Sequence, residues 1–351
     1  MDLFDLIESA PDMISADAFV IANSKIKQYE NIVCSISGGA DSDVMLDICT
    51  KLDPERKIKY VWFNTGLEYQ ATKDHLRFLE DKYQIHIEEI KAEKPIPTTC
   101  RTIGLPFLSK QISKWIELLQ RRGFQWEDAP IDVLLEKYCD TVPEEIALKN
   151  PTQYYACNGK YYRGCVIPLR WWCNDFPNKD NGTESKFNIK YHKYLKEFML
   201  ANPPDFNISH RCCNYAKKKP VHKYIKAINA ELNMYGVRKA EGGVRATAYK
   251  NCFTAYESGA DEFRPIFFFT NDTKRKYEEA FGVTHSRCYS EYGLTRTGCA
   301  GCPFGQKFEF ELQVIQEHEP KLYKAVNNIF GKSYEYTRKY YEFRSMQEGK
   351  Q

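Results

Sequence analysis

The sequence lacks any apolar run long enough to cross a bilayer, which takes about 20 residues, so we expect no transmembrane helix. Residues 1–20 contain acidic side chains but no basic cluster, which argues against a signal peptide. A strong charge of one sign is also lacking, because 50 Lys and Arg residues oppose 47 Asp and Glu residues. The net formal charge of +3 does not by itself indicate nucleic-acid binding. We therefore expect a soluble, cytoplasmic protein that does not bind membranes.

Cysteine is abundant, with 13 residues in a chain of 351. Without a signal peptide, disulfide bonds are the less expected use of these thiols. Metal binding or thiol chemistry is expected of the clustered cysteines instead. The dispersed cysteines stand in apolar or aromatic contexts and are expected to be small buried side chains. They are Cys34, Cys49, Cys139, Cys157, Cys165 and Cys173.

Strand and helix patterns alternate in the first third of the chain. Strand-like runs at 31–36, 59–63 and 85–90 are separated by helical periodicity. This alternation predicts βαβ units, and thus an α/β fold with a doubly wound, mostly parallel sheet. Ligands of such sheets bind at the carboxyl ends of the strands.

The pattern changes after about residue 107, and we predict four regions. A nucleotide-binding half spans 1–110, and a helical, aromatic insertion spans 111–205. The rest of the domain, with the clustered cysteines, spans 206–315, and a helical tail spans 316–351. The insertion is expected either to cover the active site or meet a partner, or to be a packed helical cap without chemistry. Its aromatic residues, interspersed with Lys and Arg, could stack on nucleic-acid bases.

A glycine-rich turn joins the first strand to the following helix. Glycines let backbone N–H groups face an anion, and the helix N-terminus adds partial positive charge. Asp41 would repel a phosphate unless Mg²⁺ bridges the two. No lysine follows the glycines, so the turn is not a Walker A loop. The alternative is a plain turn that caps a helix. The turn consists of Ser37, Gly38, Gly39, Ala40, Asp41 and Ser42.

This turn resembles the SGGxDS PP-loop of ATP pyrophosphatases in the adenine nucleotide alpha-hydrolase-like superfamily, which cleave ATP between the α and β phosphates. The resemblance implies bound ATP, or a sulfonucleotide, together with Mg²⁺. It also implies catalytic roles for Asp41 and Ser42, with Ser37, Gly38 and Gly39 binding the cofactor.

Two further elements resemble the phosphoadenosine phosphosulfate (PAPS) reductase family, including phage, bacterial and DNA-phosphorothioation members. Asn64-Thr65-Gly66 resembles the DTG turn that helps to hold the nucleotide, with Asn64 in place of the family's Asp. Gly243-Val-Arg245 resembles the element that approaches the phosphates, which implies a binding and catalytic role for Arg245. A lysine run at 217–219 could neutralise phosphate or sulfate, or be a solvated helix start.

The clustered cysteines comprise a tandem pair and a later Cys-x-x-Cys pair. Their order and flanks resemble the CC…CxxC pattern of the assimilatory sulfonucleotide reductases, which implies a [4Fe–4S] cluster. Structural zinc is the second interpretation, and reactive or buried thiols are the third. Cys252 or Cys288 could replace one of the tandem pair. The expected ligands are Cys212, Cys213, Cys299, Cys302 and, below them, Cys252.

One difference separates this sequence from the sulfonucleotide reductases. Those enzymes have a catalytic cysteine near the C-terminus, whereas no cysteine follows Cys302. The phosphate loop is also complete, which is typical of ATP users. We therefore predict an ATP-binding enzyme that adenylates a substrate and releases pyrophosphate, linked to sulfur transfer of the nucleic-acid thio-modification type.

Two alternatives remain open. The first is a sulfonucleotide reductase that releases sulfite with the help of thioredoxin. The second is a nucleotide-binding partner subunit without turnover. The expected partners of the main hypothesis are an adenine nucleotide, a nucleic-acid substrate and a sulfur donor such as a cysteine desulfurase.

Overall fold

A six-stranded sheet organises the nucleotide-binding part of the computed structural model, which describes residues 2–242, 247–305 and 307–349. The strands of the described chain are β1 (Ile32–Ile36), β2 (Ile58–Asn64), β3 (Ile87–Lys91), β4 (Asp140–Val142), β5 (Tyr155–Cys157), β6 (Lys160–Arg163), β7 (Leu232–Tyr235), β8 (Phe253–Thr254) and β9 (Asp261–Phe263). The order in the large sheet is β3-β2-β1-β7-β9-β8. Every pairing is parallel except that of β8 with β9. The predicted α/β fold with a mostly parallel sheet is confirmed.

Helices connect these strands along the described chain. They are α1 (Leu3–Glu8), α2 (Met13–Gln28), α3 (Ala40–Leu52), α4 (Gln70–Tyr83), α5 (Ile96–Thr102), α6 (Lys110–Arg121), α7 (Ile131–Tyr138), α8 (Glu144–Lys149), α9 (Val166–Trp172), α10 (Leu195–Ala201), α11 (Lys219–Ala227), α12 (Asn271–Phe281), α13 (Arg287–Ser290), α14 (Phe308–His318) and α15 (Pro320–Glu348). A π-helical turn, Asn214–Lys218, leads directly into α11. No helix among the described residues is both long and apolar enough to cross a membrane.

β1 lies at the centre of the sheet, between β2 and β7, and is covered on both faces. Ile32, Cys34 and Ile36 belong to the main hydrophobic cluster with residues of α2 and α3. Val33 alternates to the opposite face, where it packs with Val61 and Ala230. This period of two lets a short, almost wholly apolar strand form the middle of a parallel sheet.

The chain divides into two compact units. Unit 1 comprises Met1–Pro97, Cys213–Cys302 and Glu309–Val326, and it contains the large sheet. Unit 2 comprises Thr98–Cys212, Pro303–Phe308 and Asn327–Gln351. The four regions predicted from the sequence stay a proposal about domain organisation.

Unit 2 has a small antiparallel sheet, ordered β4-β6-β5, and an aromatic core. Trp171 and Trp172, at the end of α9, are fully buried. The ring of Trp171 lies 5.3 Å from that of Trp115 on α6. These rings fill a packed interior, so they are not available to stack on bases. Of the two interpretations of the insertion, the structure favours the packed cap for these side chains.

Candidate nucleotide-binding site

The phosphate loop joins β1 to α3, which begins at Ala40. Gly38 has a φ of +65°, and a side chain there would meet Thr72 Cγ2 at 2.8 Å, so only glycine fits. The Ser42 hydroxyl accepts a hydrogen bond from the Ser37 backbone N–H at 2.9 Å. The Ser37 hydroxyl accepts one from the Gly39 N–H at 3.3 Å. These bonds close the loop around the first turn of α3, whose orphan N–H groups favour an anion.

The loop borders a cleft with about 850 Å³ of empty space. Its lining comes from the carboxyl ends of three neighbouring strands, represented by Ser37, Phe63 and Gly236. Lys217 and Thr297 complete it with a cation and a hydroxyl. This is the position at which parallel sheets bind their ligands.

The end of β7 approaches the phosphate loop so closely that only glycine fits there. A side chain at Gly236 would meet the Asp41 carbonyl oxygen at 2.9 Å and the Ser42 nitrogen at 3.0 Å. Arg238 follows two residues later and is 7% exposed. The close approach therefore sets the position from which Arg238 reaches the loop.

Asp41 is bound by cations from two other elements. Arg238 Nε donates to Asp41 Oδ1 at 2.9 Å, and Lys274 Nζ of α12 lies 3.6 Å from the same oxygen. Arg238 also donates to Asn271 Oδ1 at 3.0 Å, and Lys274 pairs with Glu278 at 2.9 Å. Two cations thus lie at the start of α3, held there by the carboxylate that was expected to bind Mg²⁺. Both cations contact Oδ1 of Asp41, not Oδ2.

Arg238 is a site residue that the sequence interpretation missed, although the signal was present. The tripeptide Gly-Val-Arg occurs twice, at 236–238 and at 243–245. The first copy directly follows β7, whereas the prediction used the second. Arg245 lies outside the described residues, and its predicted role stays a prediction.

Behind the loop, α3 carries a buried ion network. The Asp43 carboxylate is fully buried, and its Oδ2 lies 2.8 Å from His285 Nδ1. His285 Nε2 lies 2.9 Å from Glu278 Oε1. His75 Nε2 lies 3.1 Å from the same Asp43 oxygen, without the alignment of a hydrogen bond. Burial lowers the pKa of His285, but hydrogen bonds to Asp43 and Glu278 outweigh it and raise this pKa to about 9. The imidazole is therefore a cation at neutral pH.

The turn after β2 is held by its own side chains. Gly66 has a φ of +83°, and a Cβ there would meet that of Pro95 at 2.7 Å. Asn64 Oδ1 accepts from the Gly66 N–H at 2.7 Å, while Asn64 Nδ2 donates to Glu89 at 2.6 Å. A carboxylate at position 64 could not donate to Glu89 and would repel it. This pair gives a physical reason for Asn64 where the related turn has Asp.

Thr65 connects this turn to the Cys-x-x-Cys segment. Its backbone N–H donates to Glu68 Oε1 at 3.1 Å, and its hydroxyl lies 3.6 Å from Cys299 Sγ. The Leu67 carbonyl accepts from the Ala300 N–H at 3.0 Å. Thr65 thus contacts Glu68 in its own turn and Cys299 in the cysteine segment.

Three of the predicted ligands share one neighbour, Lys217 of the π-helical turn. Electrostatic interaction with Cys299 in its thiolate form is the largest influence that raises the pKa of Lys217, and Glu68, Cys213 and Cys302 act in the same direction. Burial raises the pKa of the Cys299 thiol, and Lys217 opposes this. An all-sulfur donor set around a lysine fits a thiolate-bound group in its chemistry. Within the described residues, no three His, Cys, Asp or Glu side chains are arranged to hold a single metal ion.

The other candidate cysteines lie elsewhere. Cys252 packs against the main hydrophobic cluster, and burial raises the pKa of its thiol, with Arg264 and Lys25 as the nearby cations. Cys288 is buried, and its Sγ lies 3.7 Å from the Thr72 hydroxyl. Cys212 is buried and belongs to unit 2. The structure therefore gives Cys213, Cys299 and Cys302 a common neighbour in Lys217 and places Cys252 and Cys288 in other surroundings.

Residues 31–108 match the family described as "Phosphoadenosine phosphosulfate reductase domain". This segment contains the phosphate loop and the Asn64–Gly66 turn, so the predicted resemblance is confirmed over that range. No curated protein matches the sequence.

Three solved structures are similar to the chain at low identity. PAPS reductase from Candida auris has 12% identity and a TM-score of 0.40, covering 80% of this chain and 87% of its own. NH₃-dependent NAD synthetase from Campylobacter jejuni has 11% identity and a TM-score of 0.32, with 96% of each chain covered. The U34-tRNA thiolase NcsA from Methanococcus maripaludis, solved with its [4Fe–4S] cluster, has 12% identity and a TM-score of 0.34, covering 94% and 80%. Identities of 11–12% and TM-scores of 0.32–0.40 assign no role to this chain.

Proposed function

We propose that this chain, whose residues 31–108 match a PAPS reductase domain, is an enzyme that binds ATP at the phosphate loop and adenylates a substrate. The observation that carries the proposal is the cleft at the carboxyl ends of β1, β2 and β7, bordered by the N-terminus of α3. We also propose that the adenylated product is the acceptor of sulfur in a nucleic-acid thio-modification.

The loop residues would hold the phosphates. The N–H groups of the first turn of α3 favour negative charge, and the glycines allow a close approach. The Ser42 hydroxyl is buried and already accepts from Ser37, so its role would be to fix the loop. Ser37 lines the cleft and could contact the nucleotide directly.

Arg238 and Lys274 would neutralise charge that develops on the leaving pyrophosphate. Asp41 holds both cations, so they are positioned before the nucleotide binds. Mg²⁺ is usually held by one or two carboxylates together with substrate phosphates, and Asp41 Oδ2 fits that use. When bound, the ion would supply further charge neutralisation.

The proposed step is a displacement at phosphorus. A substrate oxygen forms a bond to the α-phosphorus, and the bond from that phosphorus to the bridging oxygen breaks. The electron pair leaves with pyrophosphate, and the substrate is left as an adenylate. A sulfur nucleophile then displaces AMP in a second step.

We further propose that Cys213, Cys299 and Cys302 hold a [4Fe–4S] cluster, and Cys212 stays the fourth ligand expected from the sequence. Lys217 would offset the negative charge of the thiolates, because its ammonium group interacts electrostatically with three of these cysteines. When bound, such a cluster would supply a site that binds sulfur. Anaerobic purification tests this: a brown protein with about four iron atoms per chain is expected, and stoichiometric zinc without iron would contradict it.

The activity is tested by incubating the protein with ATP, Mg²⁺ and candidate oligonucleotide acceptors, and measuring pyrophosphate and AMP. Asp41→Ala should abolish their release, and Arg238→Ala should reduce it by about 100-fold, the effect of losing one donor that stabilises developing charge. Asp81→Ala, on the exposed face of α4, is the matched control and should behave like the wild type.

Two results would contradict the proposal. Sulfite release from adenylyl sulfate or PAPS would indicate a sulfonucleotide reductase. If calorimetry shows that the protein binds ATP, but no acceptor leads to release of pyrophosphate and AMP, the chain is a partner subunit without turnover.

A further inference from the structure

A second groove lies in unit 1, beside the end of β3 and the start of α11. It contains about 1390 Å³ of empty space, more than the nucleotide cleft. Its lining includes four lysines and one glutamate, and its other polar lining residues are tyrosines. These charged residues are Lys91, Lys94, Lys219, Lys223 and Glu93.

The lysines are exposed and concentrate positive charge. Among the described residues that line the groove, the one with a carboxylate is Glu93. It forms an ion pair with Lys223, and this pairing lowers the pKa of Glu93. Lys219 lies with its Nζ 4.2 Å from the centroid of the Tyr215 ring, and Lys94 lies 5.4 Å from it. The groove is therefore net positive, with cations gathered around an aromatic ring.

Two half-buried tyrosines give the groove flat apolar surfaces. The Tyr224 hydroxyl donates to Glu88, and its ring packs edge-on against Phe63 at 6.0 Å. Tyr215 lies in the π-helical turn, where the helix widens for one turn. Such turns are frequent at functional sites. Both rings are held in place at the groove wall by contacts on this unit.

One segment forms a wall of both the groove and the nucleotide cleft. Tyr215 and Lys219 line the groove, whereas Lys217 and Val221 line the cleft. Side chains from residues 215–221 thus line both the groove and the cleft. A ligand in the groove would lie one helix width from the phosphate loop's cleft.

We propose that this groove binds a single-stranded nucleic acid. A flexible strand offers phosphates to lysines and unpaired base faces to tyrosines, which is the combination that single-strand-binding proteins use. A duplex keeps its base faces stacked inside and could use only the lysines. An acidic peptide would likewise leave the tyrosine rings without a flat partner. The inference rests on the proposed function only in identifying this strand with the acceptor.

The test is fluorescence anisotropy of a labelled single strand of about 12 nucleotides with the full chain, without ATP. Lys219→Glu and Tyr215→Ala should each weaken binding by about tenfold. Removing Lys219 should also reduce the slope of log affinity against log salt by about 0.7. Lys27→Glu, an exposed lysine of α2 in the same unit, is the charge-matched control and should bind like the wild type.

Several outcomes would overturn the proposal. The first is that both groove variants bind the single strand as tightly as Lys27→Glu does. The second is that the wild type binds a duplex of the same length as tightly as the single strand. The third is that polyglutamate of equal charge displaces the strand. ATP binding by calorimetry should be unchanged in Tyr215→Ala. If the wild-type protein binds the strand but does not bind ATP, the proposed function is overturned and the groove assignment remains.

Discussion

The two units use buried side chains differently. Unit 2 buries aromatic rings against one another, such as Trp171, Trp172 and Trp115. Unit 1 buries more charge, with Asp43 and Arg264 fully inaccessible, whereas the buried carboxylate of unit 2, Glu117, is 5% exposed and paired with Arg211. Buried charges are costly unless they are paired, and they concentrate where a protein needs preorganised electrostatics. This difference agrees with the proposed function, in which the chemistry lies in unit 1.

The largest expected effect tests the packing of unit 2. Trp171→Ala should lower the free energy of unfolding by about 3–5 kcal/mol, because it removes a fully buried ring and leaves a cavity. Chemical denaturation measures the change. Trp171→Phe keeps a ring and has no indole N–H to bury, so it is the matched control with a smaller loss. A loss below about 1 kcal/mol for Trp171→Ala would show that this core is not tightly packed.

A second prediction concerns the buried charge of unit 1. The pKa of His285 is raised from 6.5 to about 9, so its protonated form stabilises the folded state. That contribution is fully present below about pH 6.5 and is lost as the pH rises through 9. It amounts to as much as about 3 kcal/mol.

Denaturation between pH 6 and pH 10 tests this dependence. The wild type should lose stability over that interval, and His285→Gln should start lower and lose less. Parallel pH profiles for the two proteins would show that the network with Asp43 does not control the stability of unit 1.

The smallest expected effect tests whether the turn after β2 only stabilises the fold or also contacts the nucleotide. Asn64→Asp should reduce stability by about 0.5–1 kcal/mol, because Asp cannot donate to Glu89 and repels it. The double variant Asn64→Asp with Glu89→Gln should recover most of this loss. Thermal unfolding measures it, and a larger effect on ATP affinity than on stability would mean that position 64 contacts the nucleotide.

Local patterns predicted much of unit 1. The strands expected at 31–36, 59–63 and 85–90 are found at 32–36, 58–64 and 87–91. The phosphate loop has the expected strand and helix on either side, since glycine spacing and apolar periodicity act over a few residues. In unit 2, α10 begins at Leu195, directly after Tyr194, which has a left-handed φ of +58°.

The candidate site was predicted only where its residues are consecutive. Arg238 was missed because two identical tripeptides differ only in which one follows a strand at the sheet centre. Asp43, His75 and His285 were missed because they carry no shared motif and are far apart in the chain. Cys252 was expected as a ligand below the other four cysteines, and its position beside Lys25 and Arg264 separates it from them.

The sequence by itself determined the strand–turn–helix unit around residues 32–52, since backbone conformation there depends on glycine and on side-chain periodicity. Tertiary structure alone decided that β7 lies beside β1 and brings Arg238 to Asp41. It also decided that Tyr215 and four lysines share a groove. Such long-range pairs follow from the packing of whole elements, whose free energy is spread over many contacts, so no local pattern encodes them.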